Sequence, residues 1–250
     1  MFLVERLAKS FGGVAAMRDV TLEFPTGSLT AVIGPNGAGK TTFFNLISGA
    51  IKPDDGRVVL DGTDLVGMSH TEIVRRGIAR AFQVASIFPT LTVTETLDAA
   101  VQAHRGRAAV LGRQFPLAEC RERAREVMDM LGLSDEADTL SANLSHGDQK
   151  LLDIALALVL EPRVLLLDEP TAGMGPEERW RMIDKVYRLW EREKMTLIFI
   201  EHDMDIVFKI ASSIRVLCYG QVLAEGTPDQ IRGNPDVIAA YLGTERPEPA

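Results

Sequence analysis

A glycine-rich stretch between an apolar run and a helical run constrains this chain more than any other feature. Residues 34–42 read GPNGAGKTT and fit the pattern G-x-x-x-x-G-K-[ST]. The apolar run Leu29–Ile33 precedes the stretch, and a helix-like run to Ser48 follows it. Glycines let several backbone N–H groups turn toward one anion, and a helix N-terminus adds partial positive charge. The pattern therefore predicts a phosphate-binding loop and a bound nucleoside triphosphate.

The side chains of this loop have separate predicted roles. Lys40 is predicted to reach the β- and γ-phosphates, and the Thr41 hydroxyl is predicted to bind Mg²⁺. The predicted nucleotide-binding residues of the loop are Gly34, Asn36, Gly37, Gly39, Lys40, Thr41 and Thr42.

Length, charge and hydropathy argue against a nucleic-acid-binding protein and against a membrane-spanning one. The chain has 250 residues, of which 46% are hydrophobic and 25% charged, enough for a sizeable core in one domain. A formal net charge of −8 and a pI of about 5.1 disfavour nucleic acid as a partner. The most apolar stretch, residues 154–160, is far shorter than the about 20 residues of a membrane-spanning helix. We therefore expect a soluble protein that acts at a membrane only through a partner.

Strand-like and helix-like segments alternate in the second half of the chain. Residues 164–167 are apolar without alternation, which is typical of a parallel strand covered on both faces, and residues 196–200 repeat the pattern. Between them, residues 177–191 have the periodicity of an amphipathic helix. This alternation predicts an α/β fold with a mostly parallel sheet and right-handed connections.

The first half of the chain predicts other kinds of structure. Residues 20–24 alternate between apolar and polar side chains, as a strand with one buried face does. Ser69 and Glu72 have the spacing of a capping box, which predicts a helix that runs toward Arg80. From about residue 87 to residue 144, helical periodicity and charge dominate. We expect this part to be a helical subdomain inserted into the sheet-based core.

An acidic pair directly follows the apolar run 164–167. Triphosphate hydrolysis needs a metal-binding acid that faces the phosphate loop, and Asp168 is the predicted Mg²⁺ partner. Glu169 is predicted to polarise an attacking water. Acids also end many strands without any catalytic role, but the phosphate loop upstream in the same chain favours the catalytic interpretation.

Two classes of nucleotide-binding protein do not fit the sequence. Small GTPases read guanine with an N-K-x-D segment, which the sequence lacks. Nucleoside-monophosphate kinases need a lid and a second nucleotide site, and the sequence supports neither.

Residues 144–149 read LSHGDQ and lead into an apolar helical run. Together with the loop and the acidic pair, this segment resembles the ATP-binding cassette family, over nearly the whole chain. The resemblance implies that Ser145 and Gly147 bind the γ-phosphate of the ATP held by the opposite protomer, at a helix N-terminus. The family most often has Gly at the position of His146 and Gln or Glu at that of Asp148. Ser145 and Asp148 also have capping-like spacing, so Asp148 can serve the helix instead of ATP.

Three further positions match the family pattern. Gln83 resembles the glutamine that contacts Mg²⁺ or the lytic water, His202 the histidine that contacts the γ-phosphate, and Phe11 the aromatic residue that stacks on adenine. Gly175 departs from the pattern, because the family usually has there an Asp that contacts the other protomer's site. The remaining histidines are expected to be structural or solvated: His70, His104 and His146.

The resemblance implies a P-loop NTPase core of the ATP-binding cassette type, with an N-terminal antiparallel β-subdomain and an inserted helical subdomain. One ATP-binding domain is expected to span residues 1–250. Its predicted parts are the ATPase core with the β-subdomain (1–86 and 155–225), the helical subdomain (87–154), and a C-terminal helical extension and tail (226–250).

The resemblance also implies an ATPase that uses ATP and Mg²⁺ and works as a dimer with an identical or sister cassette. The implied partners are transmembrane permease subunits and, indirectly, a solute-binding protein, with the chain peripheral on the cytoplasmic side of the plasma (inner) membrane. The predicted catalytic residues are Glu169, His202 and Gln83, and the predicted metal ligands are Thr41, Gln83 and Asp168.

Two segments resemble the ATPases of branched-chain amino acid importers: residues 9–16 and residues 234–243. We expect residues 234–243 to mark this lineage and to lie away from the ATP chemistry. Importers of urea, amides or other small solutes remain an alternative. So do a non-transport cassette ATPase acting on nucleic acid or ribosomes, and an ATP-binding module without turnover.

Overall fold

The computed structural model describes residues 1–81, 88–105 and 118–242. The strands are β1 (Phe2–Phe11), β2 (Val14–Phe24), β3 (Leu29–Ile33), β4 (Asp55–Leu60), β5 (Thr63–Asp64), β6 (Ile78–Ala81), β7 (Val164–Asp168), β8 (Thr196–Ile200), β9 (Ser213–Cys218) and β10 (Gln221–Gly226). The helices are α1 (Lys40–Ile47), α2 (His70–Arg76), α3 (Val93–His104), α4 (Ala118–Leu131), α5 (His146–Leu158), α6 (Pro176–Glu193), α7 (Met204–Ile210), α8 (Pro228–Arg232) and α9 (Pro235–Leu242). They form two compact units, one from residues 1–70 with the described residues from 198 onward, the other from the described residues between 71 and 197.

The first unit contains an antiparallel sheet built from the N-terminal strands, in the order β2-β1-β4-β5. The alternation predicted for residues 20–24 is confirmed, because the apolar side chains are buried and the polar ones exposed. The ring of Phe24 lies 5.7 Å from that of Phe2 and 6.4 Å from that of Phe43 on α1. These aromatic contacts pack the sheet against the helix that follows the phosphate loop.

Strand β3 carries the phosphate loop at its carboxyl end. All five of its residues are buried, as its unbroken apolar sequence requires. It pairs in parallel with β9, and β9 pairs in antiparallel fashion with β10. The loop therefore begins beside the end of β9, near the hairpin that joins β9 to β10.

The second unit combines the parallel pair β6 and β7 with helices. Ile78 lies opposite Val164, and the register continues to Ala81 opposite Leu167. Helix α4 buries one face, as its periodicity predicts. The buried residues of that face are Cys120, Ala124, Val127, Met128 and Leu131.

The helix predicted to follow Ser69 forms as α2, but its predicted extent toward Arg80 is wrong. Helix α2 ends at Arg76, and residues 78–81 form strand β6 instead. Gly77 has φ +103°, a left-handed conformation that glycine adopts readily and that ends a helix. Pairing with β7 then fixes the following four residues as a strand, and this pairing is not encoded in the local sequence.

The predicted α/β fold, with an antiparallel β-subdomain and mainly parallel pairing around the phosphate loop, is confirmed. The limits of the helical subdomain at residues 87 and 154 stay a prediction. Among the described residues, none of the helices is both long enough and apolar enough to cross a membrane.

Candidate nucleotide-binding site

The phosphate loop joins β3 to α1 and depends on two glycines that sit tightly against the surrounding backbone. A Cβ on Gly34 would lie 2.1 Å from the carbonyl oxygen of Leu217. Gly39 has φ +98°, and a Cβ there would lie 2.7 Å from the carbonyl oxygen of Ala16. No other residue type fits either position without moving the backbone, so the loop's path is set by its surroundings.

Lys40 is buried, with 8% of its surface exposed. Its ammonium donates to the carbonyl of Gly34 at 2.7 Å and to that of Pro35 at 3.1 Å. The charge therefore lies inside the curve of the loop. A lysine ammonium on a flexible stem can turn from these carbonyls toward phosphate oxygens without a change in the loop itself.

The other predicted residues near the loop are more open to solvent. Asn36, Gly37 and Thr41 are exposed and Thr42 is half-buried. The ring of Phe11 is 49% exposed at the end of β1, with the Lys9 ammonium 5.6 Å from its centroid. An open aromatic face of this kind suits stacking on a base.

His202 lies two residues after the end of β8 and is exposed. Its backbone N–H donates to the carboxylate of Glu201 at 3.1 Å. The next residue, Asp203, caps α7 by accepting from the N–H groups of Asp205 and Ile206. The cap orients the start of α7 immediately after His202, a local role for Asp203 that the sequence analysis missed.

In the second unit, Asp168 is held by a buried ion pair that the sequence analysis missed. A terminal nitrogen of the Arg80 guanidinium donates to Asp168 Oδ2 at 2.7 Å. The side chains of Arg80 and Asp168 are 9% and 2% exposed. Arg80 escaped notice because it was expected on a helix. Its place on β6, the strand paired with β7, is what brings it to the carboxylate.

Glu169 follows Asp168 in a left-handed conformation, with φ +49°. The Lys150 ammonium donates to the carbonyl of Glu169 at 3.0 Å and to that of Ala172 at 2.8 Å. Non-glycine residues rarely adopt this conformation, and these bonds hold the turn that carries the predicted catalytic carboxylate.

A small cavity of about 20 Å³ lies beside the acidic pair, large enough for about one water molecule. Its lining includes Asp153 of α5 together with Asp168 and Glu169. Burial raises the pKa of Asp153 to about 6, and the nearby Lys150 charge opposes this shift only in part. Asp153 is therefore a further acid near Asp168 and Glu169. The sequence analysis did not identify it, because the residues around it on α5 follow an apolar helical pattern.

Ser145 is the N-cap of α5. Its hydroxyl accepts from the backbone N–H of Asp148 at 3.1 Å and donates to the Asp148 carboxylate at 2.6 Å. Asp148 was left open as either a helix-stabilising residue or an ATP contact, and this geometry supports the first role. Gly147 is tightly placed, because a Cβ there would lie 2.4 Å from Glu178 Oε1.

Two of the predicted metal ligands supply oxygen atoms, the Thr41 hydroxyl and the Asp168 carboxylate. The third, Gln83, lies outside the described residues. Within the described part of the chain, no cluster of three or more His, Cys, Asp or Glu is placed to hold a metal. Mg²⁺ commonly binds through one or two protein oxygens plus substrate phosphates and water. The residues present therefore fit a metal that arrives with a nucleotide.

The expectation that residues 234–243 lie away from the ATP chemistry stays a prediction.

Comparison with known proteins also indicates a nucleotide-binding protein. A family model described as ABC transporter matches residues 17–172, and one described as branched-chain amino acid ATP-binding cassette transporter matches residues 221–247. The branched-chain amino acid transport ATP-binding protein LivG of Escherichia coli (strain K12) is 39% identical over 246 residues, covering 96% of each chain.

Solved structures agree with the sequence comparison. An ATP-binding cassette of an ABC transporter in its ADP conformation superposes with a TM-score of 0.85 and 30% identity, covering 97% of this chain and 98% of that one. A dimeric cassette in a post-hydrolysis state with ADP and Pi gives a TM-score of 0.76 and 26% identity, covering 91% and 99%. The phosphate loop, the acidic pair and the family matches lead to one conclusion: the chain belongs to the ATP-binding cassette family of ABC transporter ATPases.

Proposed function

We propose that the chain is the ATP-hydrolysing subunit of a multi-subunit importer for branched-chain or related amino acids. The observation that carries the substrate class is the match of residues 221–247 to the branched-chain cassette model, joined to 39% identity with LivG along 96% of both chains. The phosphate loop with its enclosed Lys40 ammonium supports nucleotide binding.

Each residue has a role in this proposal. Lys40 neutralises the β- and γ-phosphates, and Phe11 stacks on adenine. Glu169 accepts a proton from the attacking water, and His202 contacts the γ-phosphate. Bound Mg²⁺ would neutralise charge between the β- and γ-phosphates, and Thr41, Gln83 and Asp168 would hold it.

The proposal requires two cassettes, identical or sister chains. The start of α5, with Ser145 and Gly147, offers a helix N-terminus to the γ-phosphate of the ATP on the other protomer. Because ATP then contacts both chains only in the closed dimer, it favours that state, and loss of the γ-phosphate loosens it. A solved relative in a post-hydrolysis state is dimeric, which supports this arrangement.

The opening and closing of the cassette dimer are transmitted to transmembrane permease subunits. A solute-binding protein delivers the amino acid to these permeases. The chain lies on the cytoplasmic side of the plasma membrane in this proposal. Phe88, 54% exposed directly after the segment that contains Gln83, is a candidate contact for a permease.

Replacing Glu169 by Gln tests the catalytic part of the proposal. ATP binding is expected to persist and a stable dimer to accumulate in ATP, because the phosphate contacts remain while the proton acceptor is lost. The hydrolysis rate is expected to fall by at least about a hundredfold. Glu191→Gln, at an exposed position on α6, is the matched control and should keep the wild-type rate. An unchanged rate in Glu169→Gln would remove this residue from its role.

Uptake measurements test the substrate class. In cells that depend on this chain, Glu169→Gln is expected to abolish uptake of labelled leucine, isoleucine and valine and to leave glucose uptake unchanged. Normal branched-chain uptake together with lost urea or amide uptake would assign the importer to one of those solutes instead.

A further inference from the structure

A lysine of α5 bonds to the turn that follows the acidic pair. The Lys150 ammonium donates to the carbonyl of Glu169 at 3.0 Å and to that of Ala172 at 2.8 Å. The N–H of Ala172 also donates to the Glu169 carbonyl, at 3.1 Å. The turn is therefore closed by its own backbone, and Lys150 attaches both of its ends to α5.

The bond to the Glu169 carbonyl bears on the direction of the Glu169 side chain. Glu169 has φ +49°, a left-handed conformation that non-glycine residues keep only where their surroundings hold them. The carbonyl belongs to the peptide group after Glu169, so a bond to it restricts the ψ angle of this residue. With φ and ψ held, the direction of the Cα–Cβ bond is held as well. Lys150 thus acts on the carboxylate through the backbone.

The same segment meets α5 at a second point, in the first turn of the helix. A Cβ on Gly173 would lie 3.2 Å from Nε2 of His146, so the imidazole lies against the backbone of this segment. The next residue of α5, Gly147, has no room for a side chain, because a Cβ there would overlap with Glu178 Oε1 of α6. The first two turns of α5 are therefore packed against the chain that follows Glu169.

Helix α5 begins at the residue proposed to meet the ATP of the other protomer. Ser145 is its N-cap, and the carbonyl of Ser145 accepts from the N–H of Gln149 at 2.9 Å. Lys150 follows about 7.5 Å along the helix axis, at a rise of about 1.5 Å per residue. Because helical hydrogen bonds make this segment move as one body, a displacement of Ser145 also displaces Lys150.

We propose that Lys150 is a positioning residue for ATP hydrolysis, through which the start of α5 sets the turn that carries Glu169. When Ser145 engages the ATP held by the other protomer, α5 and Lys150 hold the Glu169 carboxylate in place for the water at the chain's own ATP. The inference rests on the proposed roles of Ser145 and Glu169. It adds a connection, within one chain, between the two ATP sites of the dimer.

The first test compares two lysines in the purified full-length chain. Lys150→Met removes the ammonium and keeps an unbranched side chain. Lys185→Met is the matched control, because Lys185 is also half-buried and donates to a backbone carbonyl, that of Leu131, at 2.6 Å. Steady-state hydrolysis of ATP is measured with Mg²⁺, and urea denaturation gives the stability of each variant.

Lys150→Met is expected to lower kcat about tenfold, since it removes two hydrogen bonds from a charged donor to the turn. KM for ATP should change by less than about twofold, because the phosphate loop is unaltered. Lys185→Met should keep the wild-type kcat, although it also loses a bond to a carbonyl. A wild-type kcat in Lys150→Met, or an equal fall of kcat in both variants, would overturn the inference and leave the proposed function intact.

A double-mutant cycle tests the connection through α5. If Ser145 and Lys150 act on Glu169 through the same helix, the rate losses of Ser145→Gly and Lys150→Met should not multiply. The double variant is expected to hydrolyse ATP within about threefold of the slower single variant, whereas multiplied losses would overturn the inference. An unimpaired Glu169→Gln variant would instead overturn the proposed function, and the inference with it.

Discussion

The guanidinium of Arg80 and the carboxylate of Asp168 form an ion pair of 2.7 Å between two adjacent parallel strands. The side chains are 9% and 2% exposed, so neither charge has ready access to water. Asp168 is the proposed Mg²⁺ ligand, and the orientation of its carboxylate depends on Arg80 of strand β6. Strand β6 ends shortly before Gln83 in the sequence.

Removing one partner of this pair should destabilise the protein strongly, because the other charge remains buried without compensation. Arg80→Ala is expected to lower the free energy of unfolding by about 3–5 kcal/mol. Arg188→Ala breaks an ion pair with Asp184 whose side chains are 75% and 58% exposed, and it should cost less than about 1 kcal/mol. Urea denaturation measures both, and equal losses in the two variants would contradict a buried, structurally important pair.

Asp153 should make stability depend on pH. Burial raises its pKa in the folded chain to about 6, above the ordinary value of 3.8, so the folded state binds the proton more tightly than the unfolded state. Its contribution to stability is then lost as pH rises from about 4 to about 6.

Asp153→Asn removes this titration. Between pH 4.5 and pH 7, the variant is expected to gain on the order of 1–2 kcal/mol relative to the wild type, since solvent and Lys150 offset part of the full effect. Urea denaturation midpoints of both proteins at the two pH values provide the measurement. A difference between the proteins that does not change with pH would show that Asp153 titrates normally.

Two glycines of the phosphate loop should respond differently to alanine. Gly37 has φ +79° and open space around it, so Gly37→Ala should cost only the left-handed backbone strain of about 1–2 kcal/mol. Gly39→Ala adds a Cβ 2.7 Å from the Ala16 carbonyl oxygen and should cost about 1–3 kcal/mol more. Thermal and urea unfolding measure the stability lost in each variant. A larger loss in Gly37→Ala than in Gly39→Ala would mean that the packing around Gly39 is looser than the structure shows.

Ser145 allows its two roles to be separated. Glycine at an N-cap costs only a few tenths of a kcal/mol, so Ser145→Gly should leave stability nearly unchanged while it removes the hydroxyl proposed to reach the other protomer's ATP. Loss of a hydrogen bond to a charged group predicts a hydrolysis rate about 10- to 100-fold lower.

The matched control is Thr92→Gly, which alters the cap of α3 in the same way. It should show the same small change in stability and the wild-type rate of hydrolysis. If Ser145→Gly also hydrolyses ATP at the wild-type rate, Ser145 is a helix cap and nothing more.

The sequence predicted those features whose signals are local. The loop of residues 34–42 carries its glycines, lysine and threonine in one short pattern, and the cap of α5 follows from the spacing of Ser145 and Asp148. The α/β fold followed from apolar runs such as that of β7, which needs cover on both faces.

The sequence did not predict contacts between distant segments. Arg80 was expected on a helix because a capping pattern precedes it, and only pairing with β7 makes residues 78–81 a strand. The position of Asp153 beside the acidic pair could not be predicted, because a single acid in an apolar helix has no sequence pattern of its own.

The central claim is that two cassettes must share each ATP before hydrolysis occurs. The most direct test is the rate of ATP hydrolysis per chain, with Mg²⁺ and saturating ATP, as the purified chain is diluted from high to low concentration. The account predicts that the rate per chain falls on dilution as dimers dissociate and recovers when the chain is concentrated again. A constant rate per chain, at concentrations where sedimentation shows only monomers, would contradict it.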